Sequence, residues 1–222
     1  MTAFENKILE VPKLGEGIYT TRDVAEVLKL PYHKVKYLMN TFWQSYTFGS
    51  EGNKAVNFFA LLEFYTYYHL RENGVTSGTI KNFHNKLSKD LKTIYPFASI
   101  KVHTPKERKK KTQIWFDYMG ELMKGDGKLQ PSIRSFIEPF LNQIEFGSDL
   151  LAKRFYPITN SRNVVVDPKH QFGQPVISGT NLQIKTINFL IKAGETKRNV
   201  CLLYDINEDQ VNDAISYYTK AA

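Results

Sequence analysis

The chain has 222 residues, enough for one large domain or two small ones, and its content of 42% hydrophobic and 14% aromatic residues is typical of a folded protein. A lone cysteine, Cys201, excludes a disulfide framework and is typical of a reducing compartment. The first residues lack a signal-peptide pattern, and no run of about 18 apolar residues occurs. We therefore predict a cytoplasmic protein that does not enter a membrane.

The net charge of +8 is concentrated in one part of the chain. Residues 59–112 carry 11 basic and 4 acidic side chains, whereas residues 113–166 and 167–222 each carry six of either sign. A concentrated basic segment favours a polyanionic partner such as DNA or RNA. The alternative is a solvated basic loop that only improves solubility.

Two short helices joined by about three residues are predicted for residues 17–43. Thr21 is placed to cap the first helix, and the sequence Lys29-Leu30-Pro31 breaks it before a second, polar and basic helix. This is the layout of a helix-turn-helix, although an ordinary helical hairpin has the same pattern. The side chains predicted to contact DNA from this unit are Thr21, Tyr32, His33, Lys34, Lys36, Tyr37 and Asn40.

A β-hairpin is predicted for residues 46–57, where aromatic and polar residues alternate around a Gly-Ser-Glu-Gly-Asn turn. Two helices followed by a small hairpin resemble the winged helix-turn-helix of the MerR group, over about residues 15–95. This resemblance implies DNA binding and adds Asn53 and Lys54 to the predicted contacts. The arginines usual in the group are lysines here, and lysine favours phosphate contact over base reading because it lacks a bidentate guanidinium.

A helix that is apolar on nearly every side is predicted for residues 58–73, and such a helix is buried. In a small domain we expect part of that surface to meet a second copy, so the sequence predicts a homodimer with this helix as its seam. The next helix, over about residues 76–95, is amphipathic and has its lysines outside the apolar stripe.

A small β-rich region is predicted for residues 96–166. Strands over residues 98–103 and 112–120 flank the turn TPKERKKK, in which Lys109, Lys110 and Lys111 complete the predicted DNA contacts. The same basic turn also suits an acidic site on a partner protein. A short interrupted helix is predicted for residues 131–146. Two further strands, over residues 150–158 and 163–167, are separated by a turn at Asn160 and Ser161.

A kinked segment, DPKHQFGQPVISGT, follows over residues 167–180. A phosphate-binding loop needs four residues between its glycines and a lysine before its threonine. Here five residues separate Gly173 from Gly179, and Thr180 follows Gly179 directly. A flexible linker would lack the Val-Ile pair. The segment is therefore predicted to be an ordered, tightly turned entry to a helical unit.

Three short helices are predicted after that entry, the first over about residues 186–193. Thr196 is placed to cap the second helix, which is expected to turn Leu203 toward the core. Asn207 and Gln210, three residues apart, resemble the capping box of a third helix.

The C-terminal motifs form a recognisable series: Asp-Pro, then Gly-x-Pro-Val-Ile-x-Gly-Thr, an apolar helix ending Ala-Gly-Glu, and a Tyr-Asp-Ile turn. Over about residues 163–220 the series resembles the VapB-type antitoxin family known as domain of unknown function 433. The signature residues are Gly173, Pro175, Gly179, Thr180 and Asn181; the family usually has arginine at the last position. The long form of the family, with an N-terminal DNA-binding part, resembles the whole chain. The resemblance implies an antitoxin that opposes a PIN-like ribonuclease toxin and represses its own operon by binding operator DNA.

The predicted fold is α+β and mainly α, with three parts: a winged helix-turn-helix domain over residues 1–95, a small β-rich middle region over 96–166 and a C-terminal trihelical domain over 167–222. Because the last part is electrically balanced, it would gain little from contact with DNA, and we expect it to serve protein contacts.

Two other functions remain open: a stand-alone transcriptional regulator without a toxin, and a metal-dependent nuclease. The five histidines are scattered with no pair at metal-binding spacing, and we expect no metal, no cofactor and no enzymatic activity. Three acids, Asp117, Glu121 and Asp126, lie near one another in sequence, but acids across a turn are most often solvated. A PIN-like nuclease would need carboxylates gathered from distant elements to hold a divalent metal.

Overall fold

Residues 15–99, 142–148 and 151–219 are described by a computed structural model. Their helices are α1 (Thr21–Leu28), α2 (Tyr32–Asn40), α3 (Phe58–Glu72), α4 (Ser77–Leu91), α5 (Ile184–Lys192), α6 (Lys197–Tyr204) and α7 (Glu208–Thr219). Their strands are β1 (Tyr19–Thr20), β2 (Ala55–Val56), β3 (Ile144–Phe146), β4 (Ala152–Phe155), β5 (Val164–Val165) and β6 (Val176–Ile177), in two-stranded sheets. The predicted class, α+β and mainly α, is confirmed. Within the described ranges no helix has the length and apolar character needed to cross a membrane.

The chain packs into two compact units. The first combines the described residues up to Leu61 with those from Phe155 onward, and the second comprises the described residues between 62 and 154. The first unit therefore contains both the predicted helix-turn-helix and the predicted trihelical domain. The three-part division of the sequence after residues 95 and 166 stays a prediction.

The start of α1 is a capping box, but Thr20 and not Thr21 is its N-cap. The Thr20 hydroxyl accepts the backbone N–H of Asp23 at 3.2 Å, and the Asp23 carboxylate accepts the backbone N–H of Thr20 at 2.9 Å. Two threonines stand in succession, and only Thr20 has an acid three residues later. Thr21 is the first helical residue, and its hydroxyl donates to Sδ of Met39 on α2 at 3.2 Å.

The three-residue connection between α1 and α2 is confirmed. Lys29 adopts the left-handed conformation, with φ of 57°, and Pro31 is the N-cap of α2. Helix α2 buries Val35, Leu38 and Met39, as predicted from their spacing.

The predicted hairpin is present in a short form. Phe48 and Ala55 exchange two backbone hydrogen bonds of 3.0 Å each, and the turn between them has left-handed glycines at positions 49 and 52. Strand β2 also pairs antiparallel with β1, with Tyr19 opposite Val56. The two residues of β1 and the hairpin after α2 are therefore joined by backbone hydrogen bonds through β2.

The three C-terminal helices are confirmed, with α5 beginning two residues before its predicted start. Thr196 caps α6 by accepting the N–H of Asn199 at 3.1 Å, and Asn207 and Gln210 exchange two hydrogen bonds of 2.9 Å at the start of α7. The prediction that Leu203 lies inward is wrong, because its side chain is 67% exposed. Helix α6 is short and buries only a narrow stripe, which Val200 occupies.

Two boundaries near the middle of the chain also differ from the prediction. Helix α4 ends at Leu91, four residues before the predicted end, because Lys92 adopts the left-handed conformation. Residues 144–146 form β3, which pairs with β4, so the predicted helix is wrong over its last three residues. The predicted turn at Asn160 is confirmed, since its φ is 63°. The strand predicted over 112–120, most of that over 98–103 and the TPKERKKK turn lie outside the described residues.

The second unit contains a buried carboxylate on α3. Oε1 of Glu63 accepts the backbone N–H groups of Phe97 at 2.9 Å and Ala98 at 3.1 Å. Its Oε2 lies 3.0 Å from Nε2 of His84 on α4. Burial raises the pKa of Glu63, and the hydrogen bond to His84 opposes that rise. These contacts hold α3, α4 and the segment after α4 together.

Helix α3 buries most of its apolar side chains within a single chain. Phe58, Leu61 and Phe64 have no exposed surface, and Tyr67 is 7% exposed. The prediction of a dimer seam on this helix assumed that a second copy covers part of that surface. Phe59, Tyr65 and Tyr68 on the same helix are only partly buried, and the seam stays a prediction.

Within the first unit, the end of α1 is held against α7 by Lys29. Its Nζ lies 3.5 Å from the ring centroid of Tyr217, and the Tyr217 hydroxyl donates to the carbonyl of Glu26 at 3.3 Å. Burial lowers the pKa of Lys29 to about 8, while the Glu26 carboxylate raises it, so the amine is protonated at neutral pH.

Replacing Lys29 with glycine is expected to destabilise the first unit, although glycine is favoured at positive φ. The matched control is Lys92→Gly, since the exposed Lys92 is also a left-handed C-cap, with φ of 52°. The control is expected to be neutral or stabilising, whereas Lys29→Gly also loses the contact with Tyr217. We expect the free energy of unfolding of Lys29→Gly, measured in urea, to be about 1 kcal/mol lower than that of Lys92→Gly. Equal values would show that the ring contact contributes nothing.

Candidate nucleic-acid interface and signature loop

The predicted DNA-contacting side chains of α2 lie on one broad, solvent-facing surface. Tyr32 is 49% exposed and Tyr37 is 66% exposed, and His33, Lys34 and Lys36 are exposed beside them. Because the opposite side of the helix is buried, this surface is the one that α2 offers to a partner.

Asn40 on α2 joins the helix to the hairpin. Nζ of Lys54 donates to Oδ1 of Asn40 at 2.6 Å, and Nδ2 of Asn40 donates to the carbonyl of Lys36 at 2.8 Å. Both polar atoms of the amide are thus engaged within the unit. In this arrangement Asn40 positions the hairpin lysine beside α2 and does not offer its amide to a base edge.

An open groove separates α2 from the hairpin. The residues that line it are Thr21, Tyr32, Lys36, Met39, Asn40, Glu51, Gly52 and Lys54. Five of the nine described residues in the predicted DNA set meet there. Asn53 is exposed in the hairpin turn but does not line the groove. Sequence reasoning missed Glu51, which adds a carboxylate to the groove that Lys36 and Lys54 also line. Its position in the predicted turn was the available indication. Lys109, Lys110 and Lys111 lie outside the described residues.

The two signature glycines have different structural roles. Gly173 is buried with φ of 83°, and a Cβ at this position would overlap the side chain of Tyr19 on β1. Gly179 has φ of 80°, but no atom lies within 4 Å of where its Cβ would be. The first glycine is therefore required for close packing as well as for backbone conformation, and the second for conformation alone.

The remaining signature residues turn the chain from β6 into α5. The Thr180 hydroxyl donates to the carbonyl of Ile177 at 2.9 Å and accepts the N–H of Leu182 at 3.0 Å. The carbonyl of Pro175 accepts the N–H of Ile184 at 3.1 Å, and the Asn181 side chain is exposed. These contacts confirm the predicted ordered entry.

The loop between β5 and β6 contains three consecutive left-handed residues. Gln171 and Phe172 have φ of 48° and 54° and stand before Gly173. The conformation costs an ordinary residue about 1–2 kcal/mol. Phe172 is nevertheless an aromatic residue with 73% of its surface exposed, and sequence reasoning missed it.

Large apolar side chains are unusually exposed in the C-terminal helical region. Phe172 is 73% exposed, Phe189 on α5 is 70%, and Leu202 and Leu203 on α6 are 75% and 67%. Their neighbours on the same helices, such as Ile187, are buried in the trihelical core. Exposed apolar side chains grouped in one small domain are typical of protein-contact surfaces.

No group of three or more metal-ligating side chains occurs in the part of the chain that the structure describes. Cys201 packs, partly buried, against the core of the three C-terminal helices, an environment typical of an inert thiol. The three acids named for the nuclease alternative lie outside the described residues.

The C-terminal part of the first unit thus consists of three helices entered through a strand pair and a glycine-dependent loop. Residues 164–218 match the family described as "Protein of unknown function (DUF433)". The chain is also 34% identical over 83 residues to "Putative antitoxin VapB45" of Mycobacterium tuberculosis (strain ATCC 25618 / H37Rv). That match covers 37% of this chain and 35% of the relative's length. The two matches confirm the predicted resemblance to VapB-type antitoxins of the domain of unknown function 433 family.

A solved structure shares the fold over most of the chain. The X-ray crystal structure of Rv2018 from Mycobacterium tuberculosis superposes with a TM-score of 0.70, covering 89% of this chain and 96% of that one. The sequences are 22% identical over this match, so the likeness concerns the fold alone.

Proposed function

We propose that the chain is the antitoxin of a type II toxin–antitoxin pair. Its C-terminal domain binds and neutralises a PIN-like ribonuclease toxin, and its N-terminal helices bind operator DNA as a homodimer in the cytoplasm. The observation that carries the proposal is the 34% identity over 83 residues to a relative named "Putative antitoxin VapB45". The family match of residues 164–218 supports it.

The DNA-binding part of the proposal is supported by the surface of α2 and the hairpin. We interpret α1, the three-residue turn, α2 and the hairpin as a winged helix-turn-helix with α2 as the recognition helix. Lys34, Lys36 and Lys54 then contact phosphates, which gives affinity without base specificity. The tyrosines at 32 and 37 are the exposed large side chains on the same helix.

A second helix-turn-helix arrangement is less suited to DNA. Helices α6 and α7 are also joined by three residues, but α7 begins with the exposed acids Glu208 and Asp209. These charges repel phosphates, so the C-terminal domain is assigned to protein contact. The exposed apolar side chains of that domain support the assignment.

The full chain, purified with and without the protein encoded by the adjacent reading frame, tests the proposal. We expect the two proteins to form a complex in which the partner's ribonuclease activity is inhibited. We also expect the chain to shift DNA from upstream of its own gene in a gel assay. Light scattering of the purified chain should give the mass of a dimer.

Other outcomes identify the alternatives. If the chain binds DNA but inhibits no ribonuclease partner, it is a stand-alone transcriptional regulator. The basic surface of α2 suits that function equally. Magnesium- or manganese-dependent nuclease activity of the chain itself would make it an enzyme. A mass of 25.7 kDa, that of one chain, would contradict the dimer.

A further inference from the structure

We infer that His33 and Tyr37, which form the outer row of α2, read base edges in the major groove of operator DNA, and that the lysines on either side of this row contact the two phosphate backbones. The inference rests on the proposed DNA-binding function and names the residues that give it sequence specificity. Affinity and specificity are then supplied by different side chains of one helix.

The outer row lies opposite the buried side of α2. With 3.6 residues per turn, successive side chains of a helix are about 100° apart around its axis. His33 and Tyr37 therefore lie about 150–170° from the mean direction of the three side chains that the helix buries. Both are exposed, Tyr37 by 66%. Side chains in this direction reach deepest when a helix enters a groove.

One lysine lies on each flank of the outer row. By the same geometry, Lys34 is about 90° from the buried direction on one side, and Lys36 is about 110° from it on the other. Both lysines are exposed, and the nine residues of α2 include no acid. The major groove of B-DNA is about 12 Å wide and admits one helix, which has a phosphate backbone on each side. The lysines are placed to meet these backbones, and the outer row to meet the bases between them.

The other polar side chains of α2 face the hairpin. Tyr32 and Asn40 line the groove between the helix and the hairpin, as does Glu51, whereas neither residue of the outer row lines it. Both polar atoms of the Asn40 amide are engaged, one by Lys54 at 2.6 Å and one by the carbonyl of Lys36 at 2.8 Å. The outer row is therefore the part of α2 that the hairpin leaves to the bases.

The outer row has the chemistry that distinguishes base pairs. A neutral imidazole has one hydrogen-bond donor and one acceptor, and a tyrosine hydroxyl both donates and accepts. In the major groove each base pair presents its own pattern of acceptors, donors and the thymine methyl group. Lysines, by contrast, contact phosphates whatever the sequence. Loss of the outer row should therefore remove discrimination between sequences and leave general DNA affinity in place.

The test uses gel shifts of full-length chains on two duplexes of equal length, one from upstream of the chain's own gene and one of random sequence. We expect His33→Ala and Tyr37→Ala each to weaken binding to the upstream duplex by about tenfold, as the loss of a base contact does. The affinity for the random duplex and the slope of log affinity against log salt concentration should not change. Because both residues are exposed, circular dichroism and the melting temperature are expected to match the original chain.

Two variants on the same helix are matched controls. Tyr32→Ala removes the same kind of side chain from the hairpin side, so the ratio of the two affinities should be kept. Lys34→Ala should weaken binding to both duplexes alike and reduce the salt slope by about 0.9 per subunit. If Tyr32→Ala lowers the ratio as much as Tyr37→Ala, the assignment to the outer row is wrong.

Each other outcome overturns the inference in a distinguishable way. If the original chain binds neither duplex, the proposed DNA-binding function and the inference fail together. If it binds both duplexes equally, or if the outer-row variants weaken both alike or neither, DNA binding stands and base reading by these residues is wrong. If the outer-row variants keep both DNA affinities but lose self-association in ultracentrifugation, the row is a contact between two copies of the chain.

Discussion

Replacement of Gly173 by alanine is expected to lower the free energy of unfolding by about 4 kcal/mol, because overpacking and left-handed strain act together. A Cβ on Gly173 would lie 2.6 Å from Cζ of Tyr19 and would also overlap the hydroxyl. Tyr19 is completely buried and cannot move away. The loss, measured by urea denaturation, should appear in the transition of the first unit.

Two variants separate the causes of that loss. Gly179→Ala is the control for backbone strain alone, with nothing near its Cβ, and should cost about 1–2 kcal/mol. Tyr19→Phe removes a buried hydroxyl that has no hydrogen-bond partner among the described residues. Combined with Gly173→Ala it should restore part of the lost stability. Equal losses for the two glycine variants would contradict the packing role of Gly173.

Simultaneous replacement of Lys34, Lys36 and Lys54 by alanine is expected to have the largest effect on DNA binding. If each lysine contacts one phosphate, the slope of log affinity against log salt concentration should decrease by about 2.7 per subunit, three times the 0.9 expected for each contact. Operator and random DNA should be weakened alike, because lysine–phosphate contacts do not read bases. Gel shifts at several salt concentrations measure both quantities.

Three further variants refine that result. Asn40→Ala should reproduce part of the loss, since Asn40 holds Lys54 beside α2 at 2.6 Å. Replacing Lys109, Lys110 and Lys111 by alanine should reduce the slope of log affinity against log salt concentration if the basic turn lies along DNA. If the slope is unchanged and inhibition of the toxin is lost, the turn contacts the toxin instead. Lys81→Ala, at an exposed position on α4, is the control. An unaltered slope in the α2 and hairpin triple variant would contradict the proposed interface.

The sequence by itself determined most of the helices described here, the caps of α6 and α7, and the exposed face of α2. The capping residues at Thr196 and Asn207 act over three residues, and the inward stripe of α2 follows the helical period over four. Interactions of such short range are visible in residue spacing, and for this reason the trihelical domain and the polar surface of α2 were predictable. The family signature at residues 173–181 was visible for the same reason, although its structural role was not.

Only the tertiary structure decided what these elements pack against. Residue 173 must be glycine because Tyr19, more than 150 residues earlier in the chain, lies where a side chain would be. Lys29 lies over Tyr217 for a similar long-range reason. Residues 144–146 form a strand because β4 is beside them, and Leu203 is exposed because no other element covers that side of α6 within the described residues. Such outcomes depend on contacts between distant segments. The local spacing of residues does not show which distant segment packs against a given element.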